Sequence, residues 1–413
     1  MGSEKKLIEL DDALSRMLAS IAPLTQTELI PIQQAHGRVL AREVRSALNV
    51  PSFDNSAMDG YALRCMDVSE ADIQNKKAFA VSQRIAAGDT GEAVQAGTLV
   101  RIFTGAPVPP GADAVIQQEH VTLQEGGLAV LDRLPRFGDN IRRAGEDIEA
   151  GAVVIEAGKR LSTVDIGVAA SVGQAELEVF RRPKVALFVT GDELTEPGHP
   201  LKPGSIYNSN RYVLNDLLHQ MGCDVSDLGI LQDSLPVVQD ALQQVAQEHD
   251  LILTSGGVSV GEEDHVKQAV TNLGRIELWK LAVKPGKPLA FGQVNWPDEK
   301  GHAWFIGLPG NPVASFVTFL LAVRPFLQKL SGRPVSPRHA VQLQASFSVK
   351  TKERREFLRA RMNDDGLVEL YPNQSSGVLT SMAWAQGLVD IPARTEVHPG
   401  DQVSYIRLSE LST

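Results

Sequence analysis

Two kinds of hydrophobic spacing alternate along this chain of 413 residues. Near the start, Leu10, Leu14, Met17, Leu18 and Ile21 recur at helical spacing, with Asp11, Asp12, Ser15 and Arg16 on the other face. This predicts an amphipathic helix that ends before Pro23. A second helix is predicted across residues 33–44. The stretches AFAVSQRI, GTLVRIFTG and DAVIQQEHVTL then read as short strands between glycine turns, a β-rich region reaching about Asp139. A small-residue helix, VDIGVAASVG, and a strand, ELEVF, lead to a linker at Arg181-Arg182-Pro183. From Val185 the pattern changes to strand, loop, helix. VALFVTGDEL, DVSDLGIL, LILTSGG, ELWKLAV, PLAFGQV and AWFIGLPG read as strands, and the long apolar PVASFVTFLLAVRPFLQKL closes the series as a helix. Such alternation predicts a mainly parallel sheet in a three-layer α/β domain. Beyond Gly332 short strands return, and a small C-terminal β-barrel is expected.

The stretch LILTSGGVSVGEEDH, residues 251–265, stands out. A continuous apolar run fits a strand buried on both faces of a parallel sheet. It breaks into Ser255-Gly256-Gly257, where backbone can approach a ligand without a Cβ in the way. Ligands bind past the carboxyl ends of strands in open α/β sheets, so Ser255, Gly256, Gly257, Val258 and Ser259 are candidate binding residues. Asp264 follows as a candidate Mg²⁺ ligand. The plain alternative is a glycine-rich turn into a solvated helix start.

Other candidates fall at neighbouring strand ends. Glu193, in TGDE, can hold a cation or orient a hydroxyl. Asp233 follows the next strand and is either a metal ligand or a helix cap. Lys280, Lys284 and Lys287 lie in WKLAVKPGKP, with Lys280 and Lys284 expected on one face of a regular strand, where they could bind an oxyanion as point charges. In GLPGNP, Pro309, Asn311 and Pro312 precede the long helix, whose first amides could face an anion. A turn-rich loop, PSFDNSAMDGYAL, carries Asp59.

Composition narrows the partners. A formal net charge of −10 and only 5% aromatic residues argue against nucleic-acid binding. Cys65 and Cys223 give neither a disulfide framework nor metal-ligand spacing. No apolar leader and no uninterrupted membrane-spanning run is read from the sequence, so a cytoplasmic protein with no membrane partner is expected.

The motifs PSFDNSAMDGYA, TGAPVPPGADAV, NIRRAGEDI, TGDEL, SGGVSVGEEDH, KPGKP and GLPGNP occur in the order seen in the molybdopterin molybdenumtransferase family, which the C-terminal domain of gephyrin also resembles. The resemblance implies an elongated chain of four domains. A molybdopterin-binding-type α/β domain would span 1–27 and 183–331, and a discontinuous linking domain 28–47 and 144–182. An inserted β-rich domain would span 48–143 and a C-terminal β-barrel domain 332–413. It further implies a homodimer whose active site lies between subunits. There Asp59, Thr104 and Asp147 of one chain would face Glu193, Asp233, Asp264 and the lysines of the other.

The implied reaction inserts molybdate into adenylylated molybdopterin, with Mg²⁺-dependent cleavage of the adenylate and release of molybdenum cofactor and AMP. The molybdopterin adenylyltransferase and acceptor molybdoenzymes are the further partners this implies. Two other activities stay open at this point: a scaffold like gephyrin, and an adenylyltransferase on the same α/β fold.

Overall fold

The structure, a computed structural model, describes residues 7–257 and 264–411. Val258 and Ser259, with Gly261 to Glu263, lie outside the described residues. At the centre is a six-stranded sheet in the spatial order Asp224–Leu231, Lys184–Thr190, Leu251–Ser255, His302–Leu308, Pro288–Asn295, Gly274–Lys280. The first four strands are parallel, and the remaining two pairings are antiparallel. All five residues of Leu251–Ser255 are buried, as the continuous apolar run requires of a strand covered on both faces.

Alternate residues of these strands feed two separate cores. Val185, Leu187, Leu251 and Leu253 pack with the helices Leu10–Ala19 and Asn210–Gln220 and with Val313, Val317 and Phe326 of the closing helix. Ala186, Phe188 and Ile252 pack on the other face, against Leu235–Ala246 and His265–Leu273. The period-2 strand geometry thus builds the three layers directly. The closing run Pro312–Leu330 has 19 residues and a mean hydropathy of 1.4, long and apolar enough to cross a membrane, but 89% of it is buried inside the protein. It is the core helix of this domain.

A mixed six-stranded sheet lies between residues 60 and 131, with Gly60–Leu63 inside it and Ala114–Gln117 at one edge. DAVIQQEHVTL is two strands rather than one. A 3₁₀ turn at Gln118–His120 sends Val121–Gln124 to the opposite edge. The helix expected at 33–44 does not form. A 3₁₀ turn, Ile32–Gln34, a left-handed turn at Gly37, bridges at Val39 and Leu40 and the start of the short strand Val44–Arg45 stand there instead. Ala35, Leu40 and Val44 still reach a core with Leu161 and Val179, because the amides of Gly37 and Leu40 bond to Leu161 and Lys159 instead of to the preceding turn.

The C-terminal strands form a sheet ordered Val283–Lys284, Arg355–Met362, Gly387–Ile391, Gln402–Arg407, Val341–Gln344, with Val368–Leu370 on the second of these. Among the described residues, Val368–Leu370 meets the edge strand Val341–Gln344 only through the bridge Ala345 to Val368, where the Ser346 amide bonds the Val368 carbonyl, so the expected barrel is not a fully hydrogen-bonded one. The first strand of this sheet belongs to the α/β part of the sequence. Val283 and Lys284 pair with Arg355 and Glu356, which fixes the lysine loop to the C-terminal region.

Candidate active site at the strand ends

The parallel strands end together at Thr190, Leu231, Ser255 and Leu308. Past Ser255 the backbone turns left-handed at Gly256 (φ +95°) and Gly257 (φ +62°). A Cβ on Gly257 would meet Val266 at 2.5 Å and the Thr190 hydroxyl at 2.8 Å, and one on Gly256 would meet the Thr190 carbonyl at 2.6 Å. Only glycine fits either position. Ser255 itself is 3% exposed. Its hydroxyl donates to the Pro309 carbonyl at 3.0 Å and accepts from the Asn210 side-chain amide at 2.9 Å, so it is engaged by the protein.

Gly256, Gly310 and Asn311 form a ridge shared by two clefts. One, of about 620 Å³, is walled by the Lys284–Lys287 turn, by Arg354 and by residues 374–376. The other, of about 590 Å³, is lined by Glu193, Asn208, Asn210, Pro312 and Leu379 among others. The first carries three cationic side chains, which suits an oxyanion. Pro309 lines the cationic cleft, Pro312 the other and Asn311 both. Asn311 occupies the cap position of the long helix, but its side chain makes no capping bond.

Lys284 Nζ bonds both carboxylate oxygens of Glu356, at 3.0 and 3.2 Å. The expected common strand face for Lys280 and Lys284 is not found. The strand ends at Lys280, and Leu281 and Ala282 leave it to pair with Ile8 near the N-terminus. Lys280 stands at the strand end outside both clefts. The cleft wall from the C-terminal region is rigidly backed. Arg359, fully buried, donates to the Ser375 carbonyl and the Ser381 hydroxyl, and burial pushes its guanidinium down to about 10.

Asp233 follows the edge strand Asp224–Leu231 and Asp264 precedes the helix that comes after Leu251–Ser255, with Lys184–Thr190 lying between those two strands. The charge of Asp233 reaches Asp264, and neither residue lines either cleft. Asp264 caps the helix His265–Leu273, with Oδ1 accepting from the Lys267 amide at 2.9 Å. Asp233 does not cap. Ser234 holds the cap position of Leu235–Ala246, without a side-chain bond. Asp233 Oδ1 and Asp264 Oδ2 are buried with no hydrogen-bond partner. Burial raises the pKa of both above the ordinary aspartate value. Asp192 and Glu193 raise Asp233 further, Asp233 raises Asp264, and His265 opposes both. No group of three or more His, Cys, Asp or Glu side chains forms a metal cluster among the described residues. Two orphaned carboxylate oxygens nevertheless fit Mg²⁺, which commonly takes one or two protein carboxylates and fills its shell with water and substrate phosphate.

Ionising these two groups costs folding free energy. That cost is absent below the ordinary carboxylate range and complete once the pH exceeds their raised values. Without divalent ions, Asp233→Asn is therefore expected to melt above the parent at pH 8 and level with it at pH 3, with the difference kept small because this group is only partly buried and solvent screens it. Thermal melts at the two pH values, with chelator present, check this.

The remaining sequence candidates sit elsewhere. Asp59 Oδ1 accepts from the Thr104 amide and from the Thr104 hydroxyl, both at 2.8 Å. These bonds, helped by Arg101, hold the exposed Asp59 carboxyl below its usual range. Arg101 lies over Tyr61 and Phe103. Asp147 is exposed, and its amide bonds the Val50 carbonyl. None of Asp59, Thr104 and Asp147 lines either cleft.

Sequence reasoning missed Arg354, Gln374, Ser375 and Ser376, which wall the cationic cleft, and Asn208 and Asn210 beside the other. Asn210 is the first residue of the helix Asn210–Gln220, whose cap position is held by Ser209. The Asn210 side chain bonds Ser255 and Gly310, and Asn208 Oδ1 accepts from the Arg211 amide.

Residues 8–173 match the MoeA N-terminal region (domains I and II), residues 186–329 a probable molybdopterin binding domain, and residues 342–408 the MoeA C-terminal region (domain IV). The molybdopterin molybdenumtransferase of Haemophilus influenzae is 42% identical over 369 residues, 88% of this chain and 89% of that protein. The chain belongs to the molybdopterin molybdenumtransferase family. Molybdopterin molybdenumtransferase 2 of Mycobacterium tuberculosis is 36% identical, covering 94% of this chain and 96% of its own. Crystal structures of the molybdopterin biosynthesis MoeA protein of Pyrococcus horikoshii superpose with TM-scores of 0.80 and 0.83. They share 30% and 28% identity, and each alignment covers 97% of this chain and at least 99% of that one.

Proposed function

We propose that this enzyme inserts molybdate into adenylylated molybdopterin and releases molybdenum cofactor and AMP. One observation carries the reading. At the ends of one sheet, a glycine ridge adjoins a cleft with Lys284, Lys287 and Arg354, while the partnerless oxygens of Asp233 and Asp264 lie outside that cleft, after the edge strand and at the start of the helix His265–Leu273. On this reading the cationic cleft receives molybdate, with Lys284, Lys287 and Arg354 as its point charges and Ser375 and Ser376 as hydrogen-bonding neighbours. Lys280 adds positive charge from outside the cleft. The pterin lies along the other side of the ridge, near Glu193, Gly256, Gly310, Asn311 and Pro312. Asp233 and Asp264 would hold Mg²⁺, which when bound polarises the phosphoanhydride.

Asp59, Thr104 and Asp147 line neither of the two strand-end clefts, so we assign them to the site of a partner subunit in a homodimer. There Asp59, kept ionised by Thr104, would orient the incoming oxygen nucleophile. With water as that nucleophile, its oxygen attacks the adenylyl phosphorus, the bond to the bridging oxygen breaks, the pterin phosphate is the leaving group, and the water's oxygen departs in AMP. The four-domain division stated above is part of this proposal, as are a cytoplasmic location and contact with the adenylyltransferase and with acceptor molybdoenzymes.

Purified protein supplied with adenylylated molybdopterin, molybdate and Mg²⁺ is expected to release AMP and form cofactor in equal amounts. No AMP release would refute the proposal. ATP-dependent adenylylation of molybdopterin by this chain would replace it with the adenylyltransferase reading.

A further inference from the structure

The ridge between the two clefts is made of short backbone segments with little side chain of their own, so something must hold it. The helix Asn210–Gln220 brings one polar side chain to it. Asn210 Nδ2 donates to the Gly310 carbonyl at 2.7 Å and to the Ser255 hydroxyl at 2.9 Å. Ser255 passes its own proton to the Pro309 carbonyl at 3.0 Å and meets the Ser315 hydroxyl at 3.4 Å. Two successive carbonyls of the GLPGNP turn are thus held by one amide and one hydroxyl. The cluster ties together three separate parts of the fold: the end of the strand Leu251–Ser255, the turn before the long helix, and the first residue of Asn210–Gln220.

That first residue is itself braced. Arg211, next in sequence, bonds Asp227 of the edge strand at 2.7 and 2.9 Å and Glu196 at 2.8 Å. Asn210 is therefore delivered to the ridge by a fixed backbone and does not have to find it. A residue with helix-capping chemistry, at a helix start, that leaves the capping to Asn208 and spends both its protons across the ridge is serving the ridge.

We infer that Asn210 is a positioning residue, which sets the spacing of the ridge and so couples the two clefts of the site. The inference rests on the reading above, in which one cleft takes the oxyanion and the other the pterin. Without Asn210 the Gly310 carbonyl loses its donor, and the wall common to both clefts is free to shift. Both ligands should feel that shift together. Loss of a cleft side chain such as Lys287 should weaken mainly the oxyanion.

The experiment uses the full chain and its Asn210→Ala, Ser255→Ala and double variants. In turnover, Asn210→Ala is expected to raise the KM for molybdate and for adenylylated molybdopterin by about tenfold each, with kcat changed by less than about threefold. The double variant should be little worse than Asn210→Ala alone, because the two side chains act as one unit. Backbone hydrogen exchange gives a readout that does not depend on activity. Asn210→Ala should speed exchange at the Gly256 amide by about tenfold while leaving the buried strand amides of 185–187 unchanged. A rise in only one KM, multiplicative effects in the double variant, or unchanged exchange at Gly256 would each overturn the inference. If the parent chain itself releases no AMP, the proposed reaction fails, and the exchange experiment still decides whether Asn210 holds the ridge.

Discussion

Asp264→Asn is expected to reduce turnover on the order of a hundredfold at limiting magnesium while leaving the protein folded and slightly more stable. The argument turns on the two oxygens of this carboxylate. Oδ1 accepts from the Lys267 amide and caps a helix, and asparagine caps about as well as aspartate. Oδ2 is buried without a partner, and burial together with Asp233 raises the pKa of the group. The substitution keeps the first function and removes the unpaired charge. Stability and activity should therefore move in opposite directions, which a merely structural aspartate would not produce. Asp264→Ala is the less informative change, since losing the cap alone costs ~1 kcal/mol. The check is a melt without divalent ions beside AMP release titrated with magnesium. Full activity in Asp264→Asn would remove Asp264 from the site.

Lys284→Ala should abolish most turnover and also destabilise the protein, and the two effects can be separated. Lys284 Nζ is the cation that meets both oxygens of Glu356, a residue only 7% exposed. Removing the lysine leaves a buried carboxylate without its ion pair, which we expect to cost about 1–3 kcal/mol. The lysine side chain is 46% exposed, so solvent screening keeps the cost at the lower end of that range. The double variant Lys284→Ala/Glu356→Gln should regain the stability. Turnover should stay on the order of a hundredfold low, because the cleft still lacks the charge. Recovery of both together would make Lys284 a structural counter-ion and nothing more.

The parts of this molecule that were legible in the sequence are those written in local chemistry. LILTSGG announced a buried strand and a close backbone approach, and Gly256 and Gly257 have no room for a Cβ. The strand-end placement of Glu193, Asp233, Asp264 and the lysine turn follows from the alternation of strands and helices. What was not legible depends on partners far along the chain. The shared face of Lys280 and Lys284 was lost because Leu281 and Ala282 pair with Ile8, and Lys284 joins a strand with Glu356. Arg354 and residues 374–376 reach the cleft from a region whose strands carry no motif. Asn210 carries no local signal of its role, which rests on a long-range pair of hydrogen bonds to Ser255 and Gly310. At 33–44, apolar spacing that looked helical serves an irregular segment bonded to Lys159 and Leu161.

The central claim is that two subunits complete one site, with Asp59 from one chain and Asp264 from the other. Complementation between inactive chains tests it directly. Asp59→Asn and Asp264→Asn proteins would be unfolded, mixed in equal amounts and refolded, and AMP release measured. Half of the random dimers would be mixed, and each mixed dimer would have one intact site, so roughly a quarter of the parental rate should return. Mixed dimers that form but stay as inactive as the separate variants would place Asp59 and Asp264 in the same chain's site, or in none, and contradict the account.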